Sequence, residues 1–352
     1  MIYPNLKRRL SGVTTSLLRL IPVLREAGCR VAALGPGIPP DVARLRWRDL
    51  PRLWKRPPER AWRVWHARRN VEMALGLVLR DILRMPIRIV FTSASQREHS
   101  WTTRFFLRRM DRVIATSAKT QAYLSVPATV VIHGIDLARF HPAEDKAAAK
   151  AAVGLDAAHL HVGCFGRIRH MKGTGRFVDS LIPLLGERPD WRAVIAGRAT
   201  AQHREFLDRL SRQVREAGLG DRFLFVGEHS DIERWYRALD LFAAPQRWEG
   251  FGLTPLEAMA TALPVVATDV GAFAEFVEDG VTGALVPNSD EGDPFGAALR
   301  RYMDDEMRRR EAGANGRRRV EAGFSLEREA AALAAIYDDM APRLPVSGRA
   351  AA

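Results

Sequence analysis

Short runs rich in β-branched residues recur along this chain with room for one helix between each, and that alternation constrains the fold more than any other feature. Runs at Arg30–Leu34, Arg63–His66, Ile87–Thr92, Arg112–Thr116 and Thr129–His133 are separated by stretches of helical composition such as Thr14–Ala27 and Arg69–Leu83. Strand, helix, strand in that rhythm builds parallel sheets with helices on both faces. After a break a second series follows at Leu160–Phe165, Ala193–Ala196, Phe223–Val226, Leu239–Ala243, Pro264–Thr268 and Ala284–Val286. Two doubly wound α/β domains are expected, and 352 residues suffice for two separate cores.

The break, Asp136–Asp156, contains His141-Pro142 and the Ala/Lys run Glu144–Val153, which has helix-forming composition but no large apolar face. It reads as an interdomain connection. The expected division is a first domain over 1–140, a second over 141–324, a final helix over 325–341 and a disordered tail over 342–352. Two such domains imply a cleft between them, with ligands outside the carboxyl ends of the strands.

Two cysteines, Cys29 and Cys164, lie far apart with no Cys or His nearby, which excludes a disulfide framework and a structural zinc and suits a reducing cytosol. Apolar stretches such as Ala74–Leu79 are soon interrupted by charge, and no secretory signal opens the chain, so neither a membrane span nor export is expected. The net charge of +13 is unevenly spread: 26 basic against 9 acidic residues up to position 140, and 28 against 32 after it. Such polarity points to an anionic partner, whether nucleic acid, membrane or substrate.

Two segments carry chemistry. The strand Leu160–Phe165 runs into Gly166-Arg167-Ile168-Arg169-His170-Met171-Lys172-Gly173 before a helix. Glycines flanking cations at a strand-to-helix turn make an anion cradle, and a diphosphate is its natural guest. Arg167 can clamp phosphate oxygens bidentately while Lys172 places a compact charge beside them. The second segment, Glu249-Gly250-Phe251-Gly252-Leu253-Thr254-Pro255-Leu256-Glu257, sets one carboxylate in a glycine turn and another inside the helix that follows. Carboxylates accept hydroxyl donors, which suits ribose diols and sugar hydroxyls. The bland alternatives are a solvated basic turn and two ordinary helix-end acids.

Together with Ala258-Met259-Ala260, Pro264–Asp269, His133-Gly134-Ile135-Asp136 and Gly280-Val281-Thr282-Gly283, these segments resemble the retaining GT-B glycosyltransferases of family 4 over nearly the whole chain. Pro4–Thr14, Val64–Asn70 and Phe91–Ala94 are further similar to lipopolysaccharide core mannosyltransferases that use GDP-mannose. The resemblance implies a GT-B fold, with two Rossmann-like domains facing a cleft and the C-terminal helix crossing back to the first domain. It implies Arg167, Lys172 and Glu249 as catalytic residues. Gly12, Gly166, Gly197, Arg198, Val226, Gly227, Phe251, Gly252, Leu253 and Glu257 would bind the donor, with Glu257 on the ribose. Lys7, Arg8, Arg9, His66, Arg68 and Arg69 would bind the acceptor, an acidic glycolipid or core oligosaccharide. The resemblance further implies chemistry without a metal at an Asp-x-Asp site, with which the missing pair agrees, so no metal or other cofactor is expected.

Two features depart from the family pattern. Ser93-Ala94 stands where many members have a His, and Met1-Ile2-Tyr3 leaves little chain for a first strand, as if the natural start lay upstream. His99, read as lying on a helix beside Trp101, is expected to be structural or exposed. A UDP-glucose type of donor fits the generic motifs equally. A dinucleotide oxidoreductase lacks its Gly-x-Gly-x-x-Gly with an acid about 20 residues on. A nucleic-acid binder would leave the cradle and both glutamates without a role, and no nucleic acid is expected as partner. Finally, Arg44–Arg63 interleaves eight basic residues with Trp47, Trp54 and Trp62, an interfacial pattern that implies peripheral docking on an anionic cytoplasmic membrane face.

Overall fold

The computed structural model describes residues 1–6, 12–38, 40 and 42–344, with side chains of the first helix from residue 18 onward. The chain divides into two compact units, Met1–Gly134 together with the segment from Leu326, and Ile135–Ser325. Each holds one parallel sheet.

In the first unit the strands are β1 (Ile2–Pro4), β2 (Ala32–Leu34), β3 (Arg44–Leu45), β4 (Arg63–Ala67), β5 (Ile87–Ser93), β6 (Arg112–Ala115) and β7 (Thr129–Val130), in the order β3-β2-β1-β4-β5-β6-β7. The helices are α1 (Gly12–Glu26), α2 (Asn70–Leu77), α3 (Trp101–Leu107) and α4 (Ala118–Ala122). The chain winds outward from β1 to β3, then restarts at β4 on the other side of β1. Right-handed crossovers therefore send α1 to one face of the sheet and α2 and α3 to the other. Alternation along the strands feeds both layers: Val64 and Val90 pack with Leu20, Ile21 and Leu24 of α1, whereas Trp65, Ile89 and Phe91 pack with Met73, Leu77 and Leu107. The stretch expected as one helix over Arg69–Leu83 is α2 followed by a π-helical turn, Val78–Ile82.

The C-terminal helix Leu326–Met340 joins α1 on its face of the sheet, contributing Leu333, Tyr337 and Met340 to the same core. A buried polar chain fastens it there. Tyr337 Oη hydrogen-bonds Tyr3 Oη and lies 2.6 Å from His66 Nδ1, while His66 Nε2 lies 2.6 Å from Thr92 Oγ1. Nearby, His133 donates to Glu329 (2.8 Å), which also accepts the Gly134 N–H at 2.9 Å. The expected tail begins as structure: Ala61 N–H donates to the Pro342 carbonyl (3.2 Å) and Leu344 N–H to that of Glu59 (3.0 Å). Residues 345–352 lie outside the described residues.

The second unit has β8 (Leu160–Phe165), β9 (Trp191–Ala196), β10 (Phe223–Gly227), β11 (Leu241–Ala244), β12 (Val265–Thr268) and β13 (Gly283–Val286), in the order β10-β9-β8-β11-β12-β13. Its helices are α5 (Lys146–Ala151), α6 (Thr174–Glu187), α7 (Arg204–Glu216), α8 (Ile232–Ala238), α9 (Thr254–Ala260), α10 (Phe273–Phe276), α11 (Pro294–Asp304) and α12 (Glu306–Gly323). The supposed connection belongs to this unit. Lys150 pairs with Asp240 at 2.9 Å, and Phe140 is fully buried 5.8 Å from the Tyr236 ring. Small alanines let α5 lie close against α8, so a large apolar face is not needed.

Burial, with Arg68 nearby adding to it, holds the His66 pKa well below its ordinary value. Unfolding frees this ring to protonate near pH 6.5, so its contribution is complete above that pH and declines below it. For Glu329 burial pushes upward, but His133, Arg68 and the Gly134 N–H outweigh it and hold the carboxyl below its usual range. That contribution is present above the unfolded carboxylate value and is lost as pH falls through the folded one. Both groups therefore weaken the first unit on acidification. Urea unfolding from about pH 7.5 to about pH 5.5 is expected to approach a loss of about 1.4 kcal/mol per pH unit from His66, and His66→Gln to remove that part of the slope. An unchanged slope in the variant would assign the loss elsewhere.

Candidate active site

The order of the second sheet fixes where a site can form. From β8 the chain moves through β9 to β10, then returns with β11 on the other side of β8. Loops leaving β8 and β11 at their carboxyl ends diverge there, opening the crevice in which parallel sheets hold ligands. The two loops are 166–173 and 245–253, and three contacts join them. Gly173, at φ +76°, comes so close that a Cβ would stand 1.9 Å from the Pro245 carbonyl oxygen. Arg247 N–H donates to the Met171 carbonyl at 3.1 Å. The Lys172 ammonium pairs with the Glu249 carboxylate, each side chain mostly covered.

The cradle holds more positive charge than this pair balances. Arg167 is exposed, and no hydrogen bond or ion pair engages it among the described residues. Arg169 is half-buried, and its Nε is buried without a partner. Burial, reinforced by Arg167, lowers its pKa despite the opposing charge of Glu249. The sequence reading passed over Arg169. An orphaned, desolvated guanidinium is costly unless an anion completes it, so Arg169 joins Arg167 and Lys172 as a candidate phosphate ligand. The α6 N-terminus opens beside them at Gly173.

Three glycines line the adjacent strand ends. Gly166 (φ +142°), Gly197 (φ +147°) and Gly227 (φ +81°) end β8, β9 and β10. Gly166 N–H donates to Ala196 (2.9 Å) and Gly197 N–H to Gly227 (2.6 Å), leaving backbone instead of side chains at the rim. Arg198 there is exposed and pairs with Glu228 at 3.3 Å, while the Val226 carbonyl accepts from His229 Nε2 at 2.8 Å.

The two glutamates have different surroundings. Glu249 accepts the Gly250 N–H at 3.0 Å as well as Lys172. Glu257, on α9, is nearly buried and accepts from Tyr236 Oη at 3.0 Å. Gly252, at φ +87°, could carry no Cβ, which would stand 2.2 Å from the Phe273 ring. Leu253 is half-buried and its carbonyl accepts the Glu257 N–H at 2.9 Å. The Phe251 side chain is buried against Phe276, ring centroids 5.8 Å apart, so only its backbone is left for a donor.

In the first unit, a cavity of about 430 Å³ opens at the carboxyl ends of β4 and β5, lined by Arg68, Asn70, Ser93, Ser95, Arg97 and His99 among others. Arg68 Nε is buried with no partner. Two expected acceptor residues are re-assigned. His66 is fully buried with both ring nitrogens engaged, and reaches the cavity only through Thr92, which lines it. Arg69 is spent on the buried Glu72 (2.8 Å) and on Asn5 (3.0 Å), bracing the turn after β4. His99 belongs to the cavity wall and not to a helix. Gly12 begins α1, and Lys7, Arg8 and Arg9 lie outside the described residues. In the basic segment, Trp47–Trp54 forms a 3-10 helix that leaves Trp47 and Trp54 half-exposed, while Trp62 sits under the guanidiniums of Arg56 (5.9 Å) and Arg88 (5.2 Å).

Residues 159–305 match the family described as glycosyl transferases group 1. The chain is 58% identical over 342 residues to the lipopolysaccharide core biosynthesis mannosyltransferase LpsB of Rhizobium meliloti (strain 1021), covering 97% of each. It is 52% identical over 340 residues to the corresponding mannosyltransferase LpcC of Rhizobium leguminosarum bv. viciae, covering 97% of this chain and 96% of that one. The chain belongs to the group 1 glycosyltransferases. Its fold is that of Anabaena Alr3699/HepE, solved in complex with UDP, with a TM-score of 0.83 at 19% identity over 96% of this chain and 99% of that one. The group 1 glycosyltransferase is thus an enzyme of GT-B architecture.

For such a glycosyltransferase the contact at Gly173 holds the cradle against Glu249. Gly173→Ala adds a Cβ at positive φ against backbone, which the loops can absorb only by separating. The variant is expected to lose most sugar transfer and about 1–3 kcal/mol of stability, read by product release and urea unfolding. Wild-type turnover in a variant with wild-type stability would show that the close approach is dispensable.

Proposed function

We propose that this glycosyltransferase moves mannose from GDP-mannose, with retention of anomeric configuration, to an acidic sugar of the lipopolysaccharide core or a related glycolipid, working at an anionic membrane surface. The observation that carries the reading is the switch-point crevice of the second unit, where Lys172 meets Glu249 beside the unengaged Arg167 and the orphaned Arg169 Nε. Positive charge in excess of its partners, at a helix N-terminus and a glycine-lined rim, suits a nucleoside diphosphate. Likeness to two mannosyltransferases over nearly the whole chain supports mannose.

Transfer breaks the bond between the sugar's anomeric carbon and the diphosphate oxygen, whose electron pair stays with the diphosphate. Arg167, Lys172 and Arg169 stabilise that growing charge. The acceptor hydroxyl oxygen bonds to the anomeric carbon, and its proton passes to the departing diphosphate. Glu249 lies where positive charge develops on the sugar, and its pairing with Lys172 keeps both groups aligned before the donor arrives. Glu257, held by Tyr236, accepts the ribose hydroxyls. On the acceptor side, Arg68 and Arg97 among the hydroxyl groups of the first-unit cavity suit a sugar carrying a carboxylate or phosphate.

The test is a panel of GDP- and UDP-sugars, read first by thermal protection and then by release of nucleoside diphosphate on adding acceptor. A donor at 100 times its Kd is expected to add about 2.7 kcal/mol, with GDP-mannose protecting most. Preferential protection by a UDP-sugar would overturn the donor assignment. Arg167→Ala and Lys172→Ala are each expected to lower kcat by about 10²–10³ at saturating donor. Glu257→Ala should chiefly raise the donor KM and Glu249→Ala chiefly lower kcat; equal shifts in both parameters would merge their roles.

A further inference from the structure

The helical layer formed by α2, its π-helical extension and α3 turns an apolar surface to solvent. Trp101 is 76% exposed and Ile82 71%, with Phe105 and Val78 also exposed. Two hydrogen bonds tie the two helices side by side. Asn70 donates to Thr103 Oγ1 at 2.7 Å where both helices begin, and Arg80 donates to the Arg109 carbonyl at 2.8 Å where they end. Trp101 and Phe105, one turn apart, stack with ring centroids 5.7 Å apart, and the Arg109 guanidinium lies 3.9 Å from the Phe105 ring. Trp54 Nε1 donates to the Leu83 carbonyl (2.7 Å), so the exposed Trp54 of the basic segment borders the same face.

We infer that this face is the membrane-docking surface, and that its occupant is an anionic phospholipid bilayer. Arg84, Arg104 and Arg108 are exposed around the apolar residues. Large apolar side chains ringed by arginine match a bilayer interface, where rings enter the acyl boundary and guanidiniums meet lipid phosphates. A soluble partner would have to be both greasy and acidic over the same area. The placement also has a consequence for the acceptor. Ser100 and Thr103, beside Trp101, line the cavity at the ends of β4 and β5. A glycan carried on a membrane anchor would enter that cavity from the docked side. This deepens the acceptor assignment above and rests on it for the identity of the glycan, but not for the docking itself.

Sedimentation with phosphatidylcholine vesicles, with and without phosphatidylglycerol, tests the surface using the full chain. Wild-type protein is expected to bind only the anionic vesicles, more weakly as salt rises. Ile82→Ser with Phe105→Ser, and separately Arg104→Glu with Arg108→Glu, should each weaken that binding by about tenfold or more. Turnover on a water-soluble acceptor should stay unchanged in both, showing that they fold. Equal binding of wild type to both vesicles, no binding to either, or wild-type binding by both variants would overturn the inference. A wild-type dimer lost in the serine variant, with vesicle binding unaffected, would assign the face to a second copy and overturn it too. Vesicle binding lost in the variants alongside a wild type that turns over no nucleotide sugar would support the docking surface while refuting the proposed reaction.

Discussion

A Cβ on Gly173 would stand 1.9 Å from the Pro245 carbonyl oxygen, and the candidate site depends on that close approach. Loops from two neighbouring strands touch by backbone, which lets the Lys172 ammonium reach Glu249. Were the loops a side chain further apart, the cations of one would face only solvent. Sheet order alone does not produce this; it opens a crevice between β8 and β11 and leaves its width to the residues at the rim. Glycine at 166, 197 and 227 narrows the same rim along β9 and β10, where left-handed or extended positive-φ backbone lets carbonyls and amides approach one another.

The first unit is held by polar contacts of another kind. Tyr3, His66 and Tyr337 are fully buried and Thr92 nearly so, and they satisfy one another across β1, β4, β5 and the C-terminal helix. Each unmade bond of this sort costs about 1–3 kcal/mol, so the network specifies which helix covers that face instead of merely gluing it down. Thr92 is its outlet. Because that hydroxyl also lines the first-unit cavity, the orientation of one cavity group is set by a helix from the far end of the chain.

Most of the strands could be read in the sequence because buried parallel strands are nearly continuous apolar runs, and β8 (Leu160–Phe165) falls where that pattern puts it. β1 and β3 are too short to carry a period, three and two residues, and exist through pairing with β2. The Glu144–Val153 stretch was misjudged for a related reason: apolar area is a poor guide when Lys150 is fixed by Asp240 and alanines permit close packing. At the site, the cradle and both glutamates were visible from residue type and spacing. The fates of His66 and Arg69 were not, since a strand-end histidine and a loop arginine look alike whether they face ligand or core. Arg169 was missed because its distinction from Arg167 lies in burial, which no local pattern encodes.

Charge divides the chain's labour in the same way. In the second unit several arginines are matched, as Arg176 with Asp290 (2.9 Å), Arg188 with Asp304 (2.6 Å) and Arg300 with Glu187 (2.9 Å) show. Arg167 and Arg169 of the cradle have no carboxylate partner among the described residues. In the first 140 residues 26 basic groups meet only 9 acidic ones, so most of the surplus cannot be paired internally. Like charges spread over one surface cost self-repulsion that only an external anion relieves. A small bound nucleotide would answer the local excess around Arg167. An excess spread across the helical layer and the basic segment of the first unit calls for an extended anion, and the tryptophans set among those arginines favour one with an apolar interior.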